Sequence, residues 1–229
     1  EAQKQVKFLS MRDPLTGIPN RTLFQNRLKN RLLGAEKSQR QLALLIVDLN
    51  HFKEINNQFG LVAGDGLLKD VAAALGRVLS PQDTLARLGG DEFALVVPYA
   101  DNQYSIEEKV ANVLSVFEQP FDIAGEQMHL GFAIGVAVYP DNGLTEEALN
   151  NSAQFALQQA KKMNEKVCYF HQDMNLAIEH KKMLTKALNL AIANNDLRLF
   201  YQPKVLPDTG AIIGFEALIR WQHATLGFI

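Results

Sequence analysis

Apolar residues recur along this chain with two kinds of spacing, and each kind predicts a different element. Gaps of three and four residues predict helices that begin close to Asn20, Phe52, Asp65, Ser105 and Thr145. Gly34 is expected near the end of the first helix, and Gly60 should close the short second one. Apolar runs of strand length predict strands at 42–49, 84–88, 93–97, 121–123, 128–139 and 167–170.

Glycines separate two of these predicted strands. Gly89 and Gly90 precede Asp91 and Glu92 between the runs 84–88 and 93–97. Because glycine reaches positive φ without steric cost, we expect a tight hairpin here. A second hairpin is expected from 121–123 and 128–139. Since strands alternate with helices while hairpins also occur, the expected fold class is α+β, with a mixed, largely antiparallel sheet flanked by helices.

Composition narrows the function classes. The chain has 229 residues, 47% of them hydrophobic, and its net charge is −2, so no overall basic field attracts nucleic acid. Cys168 is the only cysteine, which excludes an intramolecular disulfide and a cysteine-based zinc site. No apolar run approaches the roughly 20 residues that cross a bilayer. We therefore expect a soluble fragment with no membrane contact, cut from a longer chain.

Three carboxylates are candidates for chemistry. Asp48 ends a predicted buried strand, and Asp91 and Glu92 lie at the predicted hairpin tip. If the hairpin pairs beside the Asp48 strand, the three acids converge, and bound cations would offset their repulsion. Such hard oxygen ligands suit Mg²⁺ or Mn²⁺ and hence phosphate chemistry. The residues alone leave another interpretation open, in which Asp48 is a helix N-cap and Asp91 and Glu92 form an ordinary polar turn.

Several motifs in a fixed order resemble one known family. They are DPLTGIPNR at 13–21, VDLNHFKEIN at 47–56, GD at 64–65 and RLGGDEF at 87–93. Over about residues 11–172, this order resembles the diguanylate cyclase (GGDEF) family. The resemblance implies a fold like that of class III nucleotide cyclases and polymerase palms. It also implies that a homodimer, with one GTP in each subunit, condenses two GTP molecules into cyclic di-GMP.

The resemblance implies a role for each matching acid. Asp48, the Leu49 carbonyl, Asp91 and Glu92 would be the ligands of Mg²⁺ or Mn²⁺. Asp91 and Glu92 would be the catalytic acids, and Asp91 would orient or deprotonate the 3′-hydroxyl that attacks the α-phosphorus of the partner GTP.

The resemblance also implies substrate contacts. Asn56 and Asp65 match residues that bind guanine, whose donors and acceptors an amide and a carboxylate complement. The other implied substrate contacts are Phe52, Lys53, Gly89, Gly90 and Lys161. Without the family, Asn56 would cap a helix end, Asp65 would be an N-cap, the lysines would be surface charges, and the glycines would serve turn geometry.

The chain departs from the family pattern at several positions. Leu61 stands where the family commonly has His, Asn57 where it has Asp, and Glu165 where it has a phosphate-facing Arg. An acid at 165 would repel a triphosphate, so weak GTP binding or low turnover is an expectation. The family's inhibitory Arg-x-x-Asp motif reads Ser80-Pro81-Gln82-Asp83 here. Because serine cannot replace the bidentate arginine, we expect no primary product-inhibition site.

The C-terminal residues resemble the start of a second family. LFYQPKV at 199–205 and GFEALIRW at 214–221 resemble an EAL-type cyclic di-GMP phosphodiesterase, with Glu216 matching a metal ligand and Gln202 and Arg220 matching substrate contacts. Too little of that domain is present to build a working site. The expected segments are an incoming helix or linker at 1–10, a GGDEF domain at 11–172, a linker helix at 173–182, and a truncated α/β EAL fragment at 183–229.

Two functions follow as expectations, and a plain protein-interaction module that binds no GTP stays open as a third. The first is a diguanylate cyclase that uses GTP and Mg²⁺ or Mn²⁺ as a homodimer. The second is a degenerate GTP-binding domain that regulates an adjoining EAL phosphodiesterase. In either case a cytoplasmic location is expected, with any membrane anchor of the parent protein lying upstream of Glu1.

Overall fold

The computed structural model describes residues 11–99, 106–171, 173–194, 196–223 and 227–228. The predicted incoming segment 1–10 and the predicted helix cap Ser105 lie outside the described residues. The chain divides into two compact units, one up to His171 and the other after it. Within the described ranges, no helix combines the length and apolar character that a membrane span needs.

The first unit contains five helices and seven strands among its described residues. The helices are α1 (Arg21–Ser38), α2 (Phe52–Phe59), α3 (Leu61–Val78), α4 (Ile106–Val116) and α5 (Glu146–Met163). The strands are β1 (Gln41–Leu49), β2 (Thr84–Gly89), β3 (Glu92–Tyr99), β4 (Phe121–Ile123), β5 (Glu126–Met128), β6 (Phe132–Tyr139) and β7 (Val167–Tyr169).

A five-stranded sheet in the order β2-β3-β1-β6-β7 forms the centre of this unit. Its first four strands pair antiparallel, and β7 pairs parallel to β6. The predicted fold class is therefore confirmed. The central strand β1 is apolar almost throughout because both of its faces are covered by helices.

The two faces of the sheet bury different residues of β1. Ala43, Leu45, Val47 and Leu49 belong to the core that includes α3 and α4. The alternate residues face α1 and α5, and the last of them is Asp48. Helix α5 packs so closely on β6 that a Cβ at Gly135 would lie 2.2 Å from the Ala153 carbonyl oxygen. This close packing brings the C-terminal end of α5 towards the end of β1 that carries Asp48.

Gly34 lies near the end of helix α1, as expected, and the helix continues for one more turn to Ser38. Two other predictions are wrong. Helix α3 begins at Leu61, four residues before Asp65, directly after the left-handed Gly60. The proposed hairpin of 121–123 with 128–139 does not form. Instead, β4 pairs with the short β5, and β6 pairs with β1 and β7 in the main sheet.

The second unit begins with one helix and continues with an antiparallel sheet. The elements are α6 (Asp173–Ala193), β8 (Leu197–Val205), β9 (Ile212–His223) and β10 (Gly227–Phe228). Gln202 is paired with Glu216, so their side chains project from the same face of the hairpin. Arg220 lies four residues beyond Glu216 on that face. Gln202 and Glu216 are exposed, and Lys204 Nζ lies 3.6 Å from Glu216 Oε2.

Candidate active site

The three candidate acids lie where the inner strands β1 and β3 of the main sheet meet the hairpin turn. The antiparallel register of β1 and β3 places Asp48 directly opposite Glu92, so both side chains project from the same face. Asp91 occupies the turn immediately before Glu92. The hairpin therefore does pair beside the Asp48 strand, which was the condition for the three acids to converge. We call Asp48, Asp91 and Glu92 the acidic rim.

Asp48 is the most buried member of the acidic rim, with 6% of its surface exposed. It is not a helix N-cap, because His51 occupies that position before α2. Burial raises the pKa of Asp48 above its ordinary value. The ammonium of Lys161 opposes this rise, whereas the charges of Asp91 and Glu92 add to it.

Lys161 and Arg21 provide positive charge beside these carboxylates. Lys161 Nζ, at the C-terminal end of α5, lies 2.5 Å from Asp48 Oδ1. Arg21 Nη2 lies 3.9 Å from Glu92 Oε2, and Arg21 Nε donates to the Leu88 carbonyl. Arg21 is the last residue of the motif at 13–21, but no role was assigned to it from the sequence.

The acidic rim has the ligand chemistry for a hard divalent cation but not a preformed three-ligand cluster. Within the part of the chain that the structure describes, no three His, Cys, Asp or Glu side chains converge tightly enough to hold a metal ion. Carboxylate oxygens in a negative environment are nevertheless what Mg²⁺ or Mn²⁺ prefers. Asp48, Glu92 and Asp91 would hold the cation, with the Leu49 carbonyl next to Asp48 in the chain.

The hairpin tip beside the acidic rim is fixed by Arg87. Gly89 has φ 134° and Gly90 has φ 55°, backbone conformations that glycine adopts most easily. Arg87 Nε and Nη2 donate to the Gly90 carbonyl at 2.9 and 2.7 Å. Its Nη1 contacts both carboxylate oxygens of Asp13 at 3.1 and 3.2 Å. This contact ties the hairpin to a turn 74 residues earlier in the chain.

Asp13 is held in the ionised form that this contact needs. Burial raises its pKa, but hydrogen bonds from Thr16 and the Arg87 guanidinium outweigh that effect and lower the pKa below its ordinary value. The Thr16 amide and hydroxyl both donate to Asp13 Oδ1. The sequence motifs contained Asp13 and Arg87, but nothing in them indicated that the two residues are paired.

The N-terminus of α2 lies four residues after Asp48 in the chain. His51, the residue before it, has a left-handed backbone, and no side chain caps the helix there. Uncapped N–H groups at a helix N-terminus attract phosphate oxygens. Phe52 is half-buried against the core and Lys53 is exposed, so the ammonium of Lys53 is free to approach an anion at this helix end.

The two candidate guanine ligands lie at the junction of α2 and α3. Asn56 is half-buried in α2, and its backbone carbonyl accepts a hydrogen bond from the Gly60 N–H. Asp65 is exposed within α3, so the interpretation of Asp65 as an N-cap is wrong. The Asn56 side-chain amide lies against Gly64, the residue before Asp65.

The departures from the family pattern are on the surface. Leu61 is 73% exposed at the start of α3, and Asn57 is also exposed. Glu165 is exposed and follows Asn164, the left-handed cap of α5. It lies four residues after Lys161.

The segment that replaces the inhibitory motif is occupied by internal contacts. Asp83 Oδ2 accepts hydrogen bonds from the Ser80 amide and hydroxyl at 2.8 and 2.7 Å. Lys109 Nζ lies 2.9 Å from the same oxygen, and the Asp83 side chain is only 1% exposed. A cavity of about 330 Å³ beside it is lined by Arg27, Asn30, Arg31, Pro81, Asp83 and Thr84.

The first unit is an α+β domain whose central strand β1 ends with Asp48 opposite Glu92 of β3. The family model "Diguanylate cyclase, GGDEF domain" matches residues 10–166. The chain therefore belongs to the GGDEF diguanylate cyclase family. An EAL domain model matches residues 185–229.

Individual proteins agree with the family match. The chain is 36% identical to the bifunctional diguanylate cyclase/cyclic di-GMP phosphodiesterase MucR of Pseudomonas aeruginosa, over 100% of this chain and 33% of MucR. It is 31% identical to the cyclic di-GMP phosphodiesterase PdeR of Escherichia coli, over 100% of this chain and 34% of PdeR. The chain thus spans about a third of these relatives.

A solved structure has the same fold as the first unit. The GGDEF domain of TpbB, also called YfiN, from Pseudomonas aeruginosa superposes with a TM-score of 0.68 at 32% identity. The match covers 73% of this chain and 99% of that domain.

Proposed function

We propose that this chain carries the cyclase domain of a cyclic di-GMP signalling protein and condenses two GTP molecules into cyclic di-GMP. The observation that carries the proposal is the register of β1 and β3, which sets Asp48 opposite Glu92 beside the hairpin tip. Carboxylates so placed can hold the divalent cations that phosphoryl transfer requires. The name of the relative MucR, which includes both cyclase and phosphodiesterase, supports the assignment.

The proposed reaction consists of two phosphoryl transfers. In each, the 3′-hydroxyl oxygen of one GTP forms a bond to the α-phosphorus of the other, and the bond to pyrophosphate breaks. Asp91, half-buried at the hairpin tip, is assigned to orient the hydroxyl and accept its proton. A bound divalent cation would offset the charge on the phosphates. Lys53 and Lys161 are assigned to hold the phosphates from α2 and α5.

This chemistry requires two copies of the chain. One copy offers one acidic rim and one guanine site, whereas each transfer joins two nucleotides. The hairpin tip can therefore work only when a second copy presents its own GTP opposite. The proposed functional state is a homodimer, and a monomer should bind GTP without turnover.

A second candidate function is a regulatory domain that binds GTP without cyclising it. Glu165 and Leu61 favour it, because an acid and an exposed apolar side chain replace the family's arginine and histidine. The likeness to PdeR, a phosphodiesterase, is compatible with it. The intact acidic rim favours the cyclase.

The deciding experiment uses the full-length protein with GTP and Mg²⁺, and measures cyclic di-GMP and pyrophosphate. The cyclase proposal predicts two pyrophosphates for each cyclic di-GMP, with a specific activity that rises with protein concentration. The variant Asp91→Asn should retain GTP binding and lose turnover. If the wild type binds GTP but forms no cyclic di-GMP at any concentration, the regulatory function replaces the cyclase. If it does not bind GTP, both proposals fail.

A further inference from the structure

The side chain of Asn56 occupies space that exists only because residue 64 is glycine. A Cβ built at Gly64 would lie 1.8 Å from Asn56 Oδ1 and 3.0 Å from Asn56 Cγ. It would also lie 3.3 Å from Phe52 Cζ. Gly64 is buried in α3, and Asn56 reaches it from α2.

Backbone geometry does not explain this glycine. Gly64 lies inside a regular helix and is not among the residues with positive φ. Gly66, two residues later in the same helix, has nothing within 4 Å of a Cβ position. Helix propensity favours alanine over glycine at both positions. The feature that distinguishes Gly64 is therefore its contact with the Asn56 amide.

We infer that Gly64 is a positioning residue that sets the orientation of the Asn56 amide and thereby the selectivity for guanine. The inference rests on the proposed function, in which Asn56 and Asp65 bind the guanine base. Gly64 immediately precedes Asp65, so one short segment provides the second guanine ligand and the space for the first. An amide reads a base edge only when its donor and acceptor face the matching atoms.

An alanine at position 64 should displace the amide and leave the fold intact. Asn56 Oδ1 is the end of a flexible side chain, so rotation of that side chain relieves the overlap more easily than movement of the helices. The loss should therefore appear in base recognition and not in stability. Glycine-to-alanine substitution at 66 provides a matched control, because it changes helix propensity in the same way without touching Asn56.

The test compares Gly64→Ala and Gly66→Ala in the full chain, with GTP and with ATP, whose 6-amino group replaces the O6 acceptor of guanine. For Gly64→Ala we expect KM and Kd for GTP to rise roughly tenfold, the effect of one lost hydrogen bond in a base site, while kcat changes less. The preference for GTP over ATP should fall. Gly66→Ala should match the wild type in all these values. Unchanged discrimination in Gly64→Ala would overturn the inference.

A double-mutant cycle tests whether Gly64 acts through Asn56. Asn56→Ala removes the atoms that the new Cβ would meet, so adding Gly64→Ala to it should cause no further loss of GTP affinity. Independent, multiplying losses would refute the positioning role. A wild type that binds no GTP would refute the proposed function and this inference together. If the wild type binds GTP and the Gly64→Ala variant keeps the wild-type selectivity, only the inference is refuted.

Discussion

Replacing Arg87 with methionine should destabilise the first unit, because Arg87 joins two distant segments with little exposure to solvent. Its side chain is 12% exposed and that of Asp13 is 14% exposed. It makes two contacts to a carboxylate and two to the Gly90 carbonyl. Methionine keeps the approximate length of the stem and removes every donor.

The expected loss follows from the burial of this pair. Removing one partner of a buried ion pair costs about 3–5 kcal/mol, since the other charge stays buried without compensation. Asp13 keeps its hydrogen bonds from Thr16, so the lower end applies, about 3 kcal/mol. That is a large part of the 5–15 kcal/mol that typically stabilises a domain. With a urea m-value of about 2 kcal/mol/M, the midpoint should fall by about 1.5 M.

The assay is urea unfolding followed by far-UV circular dichroism. Glu54→Gln is the control, because its pair with His51 is 72% and 74% exposed and should matter by less than about 1 kcal/mol. A midpoint for Arg87→Met equal to that of Glu54→Gln would refute the reasoning.

The effect should also depend on pH in a defined direction. The folded-state pKa of Asp13 lies below its ordinary value of 3.8. A depressed carboxylate pKa stabilises the fold above the ordinary value, and that stability is lost as the pH falls through the folded value. The difference between wild type and Arg87→Met should therefore be constant near neutrality and shrink below about pH 3.8. An undiminished difference at lower pH would show that Asp13 is not the partner that matters.

Three further predictions concern the site. Asp48→Asn should lower turnover more than about 100-fold, yet it should raise the urea midpoint near neutrality when no divalent cation is present. A carboxyl with a raised pKa stabilises the fold below its ordinary pKa of 3.8, and this contribution is lost as the pH rises through the folded-state pKa. A lower urea midpoint for Asp48→Asn would contradict this. Calorimetric titration should detect no cyclic di-GMP binding at micromolar concentration beside Asp83, because Ser80 and Lys109 already contact its carboxylate. Micromolar binding that Asp83→Ala abolishes would contradict this prediction. Glu165→Arg should tighten GTP binding by roughly fivefold, on the order of 1 kcal/mol, and Glu165→Gln should give a smaller gain. Equal Kd values for the wild type and both variants would exclude a phosphate at this position.

Patterns local in the sequence predicted most of the first unit. The strand that ends with Asp48 and Leu49 and the hairpin with Gly89 and Gly90 follow from burial on both faces and from turn chemistry. The fold class followed from the alternation of these elements. Their register, which the residues alone had left open, then brings Asp48 opposite Glu92.

Long-range pairings explain what the sequence did not predict. The strand 132–139 carries no local signal that it pairs with β1 and not with β4, because the partner of a strand is set by contacts between residues far apart in the chain. The pairing of Asp13 with Arg87 joins residues 74 positions apart and leaves no periodic trace. The fit of Asn56 against Gly64 depends on how α2 and α3 pack, which neither motif encodes by itself.

The position of Lys161 reconciles its two interpretations as a surface charge and as a phosphate ligand. Its side chain is 41% exposed, yet its ammonium balances the buried Asp48 carboxylate. Burial and two neighbouring acids disfavour the charge on Asp48 and raise its pKa, and the Lys161 ammonium opposes that rise. A divalent cation at the acidic rim would take over this balancing role, and the exposed stem would then let the ammonium turn towards a phosphate. In the proposed cyclase, the same lysine would therefore serve both the substrate-free site and the bound triphosphate.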